Sequence, residues 1–420
     1  MLFRSVQLAG PGRLDVVAGR DVDLGSSTGI VTIGDQLNAA LADSGAAINI
    51  IAGMNGALDL EGLAQTAVEN ALADGVIVFV ESATDIDAAL AASPGTRHLF
   101  IVGSVPPQDQ QGSAFLDYFN SRSTREQFAL ALTLFYNELE QNARSEAPKP
   151  PADQDFSRGF AAIDALFPDS VYQGDLTLFF SKIHTVDGGD INLLVPGGLI
   201  NAGLAASFSG AKSASDLGIV AQADGAINAF VDGDFLVNQS RVFTLDGGNI
   251  LVWSSEGDVD AGRGAKSAIA APPPVVSFDE QGNLVVEFPP VVSGSGIRTA
   301  ATTPGRLPGD VIFGVPKGVV NAGEAGIGGQ NVIVAAADVI GAANIDIGGV
   351  SVGVPTSDTG AFSGLTGLSS VTASVSKAAE ESMSNMQADS GEEARKAATA
   401  LLTVEVVGYG ECRGGDANCR

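Results

Sequence analysis

Asp187, Asp190, Asp232, Asp234, Asp246, Asp258 and Asp260 fall close together in the middle of the chain, and nearly all of them flank a glycine. Carboxylates gathered on one face of neighbouring strands, with Arg or Lys among them, are what a polysaccharide lyase or hydrolase requires. One acid protonates the leaving oxygen while a base or nucleophile works opposite it. The same residues have a plainer use: an Asp beside a Gly accepts a backbone N–H and tolerates a left-handed turn.

An internal repeat separates the two readings. GDINLLVPGGLINAG (Gly189–Gly203), GNILVWSSEGDVDAG (Gly248–Gly262) and GDVIFGVPKGVVNAG (Gly309–Gly323) share a Gly at the first and tenth places and end in Ala-Gly. The second place holds Asp190, Asn249 and Asp310, with Ala226 in a weaker copy, and the thirteenth holds Asn201, Asp260 and Asn321. A general acid or nucleophile cannot exchange with an amide, which does not ionise, whereas a turn residue can. The aspartates are therefore expected to be turn residues.

Other chemistry has less to stand on. His184, in FFSKIHTVDGG, reads as a structural strand histidine, and His98 opens a short apolar strand in HLFIVG. No G-x-S-x-G elbow surrounds a serine, and neither GSGIRT nor GRGAKS makes a phosphate loop. VDGGDIN and LDGGNIL are similar to Gly/Asp-rich calcium turns, but without the nonapeptide tandem the turn reading is preferred. Cys412 and Cys419 sit at the C-terminus with no His nearby; a small disulfide loop and two incidental thiols both fit. No catalytic, cofactor-binding or metal residue is nominated.

The repeat also defines the scaffold. Places three, five and seven are Ile191, Leu193, Val195; Ile250, Val252, Ser254; and Val311, Phe313, Val315. Places twelve and fourteen are Ile200, Ala202; Val259, Ala261; and Val320, Ala322. The inward parity switches across the tenth-place Gly, so each unit is strand, turn, strand. Place four is mixed, with Asn192, Leu251 and Ile312, so the alternation is not clean. Weaker copies at Gly10–Gly34, Gly225–Ser240 and Gly329–Val354 extend the pattern. Short strands, Gly turns and self-similarity predict a mainly β chain forming a right-handed parallel β-helix.

Two excursions interrupt it. Residues 58–172 read as a mostly helical insertion, with a capping box at Thr124 and Gln127 and one apolar face at Phe128, Leu132, Phe135 and Leu139. Ser157–Asp169 reads as a shorter helix stopped by Pro168. Residues 271–292 read as a protruding β-hairpin, Val275–Phe278 and Leu284–Phe288 flanking DEQGN between proline fences. The coils are assigned to 1–57 and 173–356, and 357–420 reads as a polar, partly helical tail.

Composition agrees. The 420 residues include 53 Gly, and 45% are hydrophobic, enough for a long core with many turns. Lys and Arg number 22 against 49 Asp and Glu, a net charge of −27 that repels phosphate backbones, so nucleic acid is not an expected partner. No signal-peptide h-region and no long apolar span is seen, so any export signal is expected outside this chain.

GDLTLFFSKIHTVDGGDINLLVPGGLINAG and GAINAFVDGDFLVNQSRVFTLDGGNILVWSSEGDVDAGRGAKSAIAAPPPVV resemble the C-terminal region of filamentous haemagglutinin-like large exoproteins. The likeness extends to SRGFAAIDALFP, SGSGIRT and LTVEVVGYGE, and so over most of the chain. It implies a bacterial β-helical adhesin, secreted or at the cell surface and outer membrane. Two-partner secretion through an outer-membrane pore would export it. Its expected partner is a receptor or glycan on a host or neighbouring cell. The family's secretion domain and shaft have no counterpart here, so the chain is expected to match only the C-terminal end. The resemblance brings no catalytic residues. The expectation is thus a structural, adhesive, non-enzymatic protein; the alternative is a carbohydrate-active β-helix lyase or hydrolase.

Overall fold

Side chains of Ile and Val repeat along the chain at distances that no single strand or hairpin could pair, and stacked coils resolve the arrangement. The computed structural model describes residues 6–38, 40–42, 44–86, 98–168, 172–204, 217–263, 275–278, 284–287, 294–303 and 305–355. One sheet stacks Val6–Leu8, Ile30–Thr32, Lys182–Thr185, Gly218–Ala221, Arg241–Leu245, Gly296–Ala300, Ile327–Gly329 and Ile345–Ile347, in chain order and all parallel. A second face stacks Gly12–Val17, Ala46–Ile51, Ile191–Val195, Ile227–Val231, Ile250–Ser254, Val311–Asn321, Val332–Ile340 and Ser351–Val352. A third carries the two-residue strands Val22–Asp23, Leu176–Thr177, Ile200–Asn201, Phe235–Leu236 and Val259–Asp260, and joins the second where Val311–Asn321 and Val332–Ile340 run through both. The result is a three-faced parallel β-helix of eight coils.

Register places like on like. Ile48, Ile191, Ile227, Ile250, Val311 and Val332 form one row. They share a continuous inner core with Leu193, Val195, Val252, Phe313 and Val315, and with Ile200, Ala202, Val259, Ala261, Val320 and Ala322 from the third face. The parity switch read from the repeat is therefore present. Ser254, the polar member of an inward row, donates to the Gly233 carbonyl at 2.8 Å.

The irregular outer row has a cause. Every residue of Ile191–Val195, Ile227–Val231 and Ile250–Ser254 is buried, because the second face is covered on the outside as well. A strand covered on both sides has no reason to alternate. The cover comes from α1 (Leu60–Ala73), α2 (Gln111–Asn120), α3 (Thr124–Glu146) and α4 (Ser157–Leu166). The same segment also holds a two-stranded parallel sheet, Ile77–Val80 with Leu99–Val102. Leu194, Phe230, Leu251, Trp253, Ile312 and Ile333 belong to one core with Leu63, Phe115, Leu132, Phe135, Leu139 and Leu166 from the helices. Phe230 lies edge-on to Phe135 and stacked with Phe167, at centroid distances of 5.3 and 5.5 Å. Trp253 takes Phe156 and Phe160 edge-on at 5.8 and 6.1 Å. It fits because Gly159 and Gly314 flank it; a Cβ on either would come within 2.3 or 2.4 Å of the indole.

α3 runs along the stack. The carbonyl of Arg125 accepts from Arg13 Nη1 in the first coil at 3.0 Å, and Tyr136 Oη donates to the Leu193 carbonyl in the third at 2.9 Å. Arg144 Nη2 pairs with Asp310 Oδ2 in the sixth coil at 2.9 Å, and the Ala147 carbonyl just past the helix abuts Gly353 beside the eighth. The cap of α3 corrects the sequence reading by one residue. Ser123, not Thr124, is the N-cap, and it exchanges bonds with Glu126 rather than Gln127. An acid in the first turn also suits the helix dipole, and Gln127 Nε2 instead donates to the Phe119 carbonyl at 3.1 Å.

Val275–Phe278 and Leu284–Glu287 pair antiparallel, Val275 opposite Glu287, and form a sheet of their own. The tail at 357–420, with Cys412 and Cys419, lies outside the described residues.

Candidate functional site

The seven aspartates are distributed along the coil corners, where most of them hold turns. Asp260 Oδ1 accepts the Gly262 N–H at 2.8 Å; Asn201 and Asn321 do the same for Gly203 and Gly323 at 3.1 and 2.9 Å. This is the local Asx bond expected of a turn residue. The second place of the unit behaves differently. Asp190 Oδ1 accepts from Ala226 N at 2.9 Å and Asn249 Oδ1 from Asp310 N at 2.9 Å, so the side chain reaches the next coil rather than its own backbone. Asp234 and Asp258 also reach across, to Asp258 N and Val319 N at 2.8 Å each. Asp246 has a left-handed backbone, φ 64°, and binds Thr302 N and Thr303 N, both at 2.6 Å, and both hydroxyls. Asp187 Oδ1 accepts from Gln36 Nε2 at 3.4 Å.

Two of these carboxyls are perturbed, in opposite directions. Burial raises the Asp232 pKa and Glu256 adds to it, against Lys317. Burial works against the charge of Asp246 too, but the bonds from Thr302 and Thr303 outweigh it and hold the group below the usual carboxylate range. A strand of five residues separates the corner of Asp246 from the corner to which Asp232 belongs. At about 3.3 Å per residue that is more than ~13 Å, whereas paired glycosidase carboxyls stand about 5–9.5 Å apart. The two do not form an acid–base pair.

The histidines are also placed by structure. His98 Nδ1 lies 3.0 Å from the Gly75 carbonyl, beside Phe100. His184 points outward between Val31 and Val220 of the neighbouring coils. Its Nε2 is buried and has no hydrogen-bond partner among the described residues. Burial, with Lys182 and Arg241 adding to it, pushes its pKa down to about 3. Among the described residues no three His, Cys, Asp or Glu side chains converge to hold a metal ion, and no helix is long and apolar enough to cross a membrane.

The structure adds a cleft that the sequence reading missed. Asn228 Nδ2 donates to Asn192 Oδ1, and Asn192 Nδ2 to Asn49 Oδ1, each at 2.8 Å; Asn49 Nδ2 donates to Asp15 Oδ1 at 2.7 Å. This amide ladder runs under α3. Beside it lies a small compartment of about 170 Å³, where the polar groups of Asn49, Asn192, Asp190, Thr133 and Arg13 meet the apolar side chains of Ala47, Ala129 and Leu132. Arg13 also borders a larger, mainly apolar compartment of about 380 Å³, walled by Val17, Met54, Leu58 and Phe128, with Asp15 and Arg125 also lining it. Arg13 is braced by Asp15 Oδ2 at 3.0 Å and lies over the Phe128 ring at 5.3 Å. Of the seven aspartates weighed in the sequence and set down as turn residues, Asp190 is the one that lines these compartments. The fourth-place Asn192 was the available signal; its partner Asn228 belongs to a weaker copy of the repeat, while Asn49 lies outside the copies read from the sequence.

Residues 247–356 match a family model described as filamentous haemagglutinin family outer membrane protein. The matched stretch begins at the fifth coil and runs through the eighth; the likeness read from the residues is wider. No curated protein and no solved structure matches the chain.

Proposed function

We propose that this chain is a structural and adhesive part of a bacterial cell-surface exoprotein of the filamentous haemagglutinin type, and that it works without catalysis. The observation that carries the reading is the family match at 247–356 lying on a parallel β-helix. The engagement of Asp190, Asp234, Asp246, Asp258 and Asp260 in backbone bonds supports a scaffold use for these carboxylates. The mechanism is mechanical. Rows of Ile and Val hold the coils together, and the lateral surface meets a receptor or glycan on another cell. Export would use an outer-membrane pore of the two-partner type.

Beads coated with the folded chain are expected to adhere to host epithelial or neighbouring bacterial cells above beads coated with the heat-unfolded chain. Equal adherence of the two preparations to every cell type tried would sink the adhesive reading. For location, protease added to intact cells of the source organism is expected to clip the protein. Protection until lysis would place it inside.

A further inference from the structure

Two compartments meet at Arg13, whose Nη1 bonds to the Arg125 carbonyl between them, and they carry different chemistry. In the smaller compartment, Asp190 Oδ1 is occupied by Ala226 N, and Oδ2 has no partner among the described residues. Asn49 and Asn192 each commit one amide hydrogen to the ladder and retain the other. A charged acceptor beside amide donors suits hydroxyl groups, which donate and accept at once. A purely apolar guest would leave Asp190 Oδ2 desolvated and unpaired. In the larger compartment the walls are mainly apolar, and Arg13 and Arg125 line it together with Asp15, which already takes Arg13 Nε; one positive charge is left in excess there, in a protein whose net charge is −27. Arginine there favours a single planar carboxylate, while the field of the whole molecule disfavours a polyanion.

We infer that the cleft binds an acidic disaccharide unit: a uronate in the larger compartment, its carboxylate facing Arg13 and Arg125, and a neutral sugar ring in the smaller, its hydroxyls on Asp190 and the amide ladder. The apolar wall takes the C–H face of the uronate ring. The inference rests on the adhesive reading, and it gives that reading a location and a ligand class.

The test uses the whole chain and two probes: an aldobiouronic acid, glucuronate linked to one neutral hexose, and the same disaccharide with its carboxyl reduced to the alcohol. Binding is followed by saturation-transfer NMR and titration calorimetry. The acid is expected to bind saturably and at least about tenfold tighter than the reduced form. Arg125→Ala, at an exposed position, should remove that preference. Asp190→Asn should weaken both probes by about tenfold, a loss typical of a charge-assisted bond. Thr133→Val serves as a second variant in the smaller compartment, and circular dichroism confirms that each variant is folded. Absence of saturable binding, equal affinity for the two probes, or indifference to all three variants would each overturn the inference. An N-acetylated glutamyl dipeptide binding as tightly as the aldobiouronic acid would overturn it in favour of a peptide ligand. The bead assay separates the two readings. Adherent beads with no disaccharide binding sink the cleft alone, and disaccharide binding without adherence sinks adhesion alone.

Discussion

Asp260 and Asn201 perform the same task with different charge, since each lends one side-chain oxygen to the N–H two residues on. Asp260→Asn and Asp190→Asn are therefore each expected to shift the unfolding free energy by less than about 1 kcal/mol in urea melts. Neither should affect glycan turnover, because none is expected from the parent protein against a panel of polysaccharides. Cleavage that disappeared in folded Asp260→Asn would turn the scaffold into an enzyme. His184 carries a pH prediction. Its folded pKa of about 3 lies below the ordinary value of 6.5, so the unfolded chain binds the proton first as pH falls. Its contribution should be complete above about pH 6.5. It should fall by up to ~1.4 kcal/mol per pH unit between there and about pH 3. His184→Val, matching Val31 and Val220 in the same row, should flatten that part of the stability–pH curve; an unchanged slope would show that the imidazole is not the source. The sequence revealed the Asp/Asn exchange at places two and thirteen. It did not reveal that place two reaches into the next coil: the repeat sets Ala226 level with Asp190, but a backbone N–H carries no side-chain signal that would name it as the partner.

Gly159 lies in α4, where an alanine would ordinarily favour the helix by up to about 1 kcal/mol. Here the added methyl would meet the Trp253 ring at 2.3 Å, in a box already closed by Phe156 and Phe160. Gly159→Ala is expected to destabilise by about 1–3 kcal/mol, and Trp253→Phe should recover part of that loss in the double variant. Additive melts would mean that the two do not touch. Val252→Ala and Phe313→Ala, inside the coil, should each cost about 2–5 kcal/mol. At this scale the period-two rows and the apolar face of α3 were legible because each is a local rhythm. The cap slipped by one residue because Ser123 and Thr124 are both competent caps and the acid decides. The sheet of Ile77–Val80 and Leu99–Val102 was only half legible. Leu99–Val102 reads as a strand, while Ile77–Val80 has no alternation to set it apart from the helix before it.

Across the whole molecule, the two excursions have opposite standing. Among the described residues the hairpin strands pair only with each other. Replacing 272–290 by a short Gly/Ser link should therefore leave a soluble, folded coil, since surface loops change length at little entropic cost. Replacing 58–172 in the same way would uncover Leu194, Phe230, Trp253, Ile312 and Ile333 together. That chain is expected to elute as aggregate in size-exclusion chromatography. A soluble monomer would mean that the helices are passengers. α3 also bears on inheritance. From Arg125 to Ala147 the chain climbs about 33 Å at ~1.5 Å per residue, and seven coil steps of ~4.8 Å cover the same distance from Arg13 to Gly353. Genes made of look-alike repeats lengthen and shorten readily by misaligned recombination, but here an extra copy would carry the far anchor one step beyond the helix. Restoring the match would need about three more residues in α3, and these would turn its apolar stripe about 60° away from the coil. The number of coils in this chain is thus matched to the length of α3, a measure that the repeats themselves do not encode.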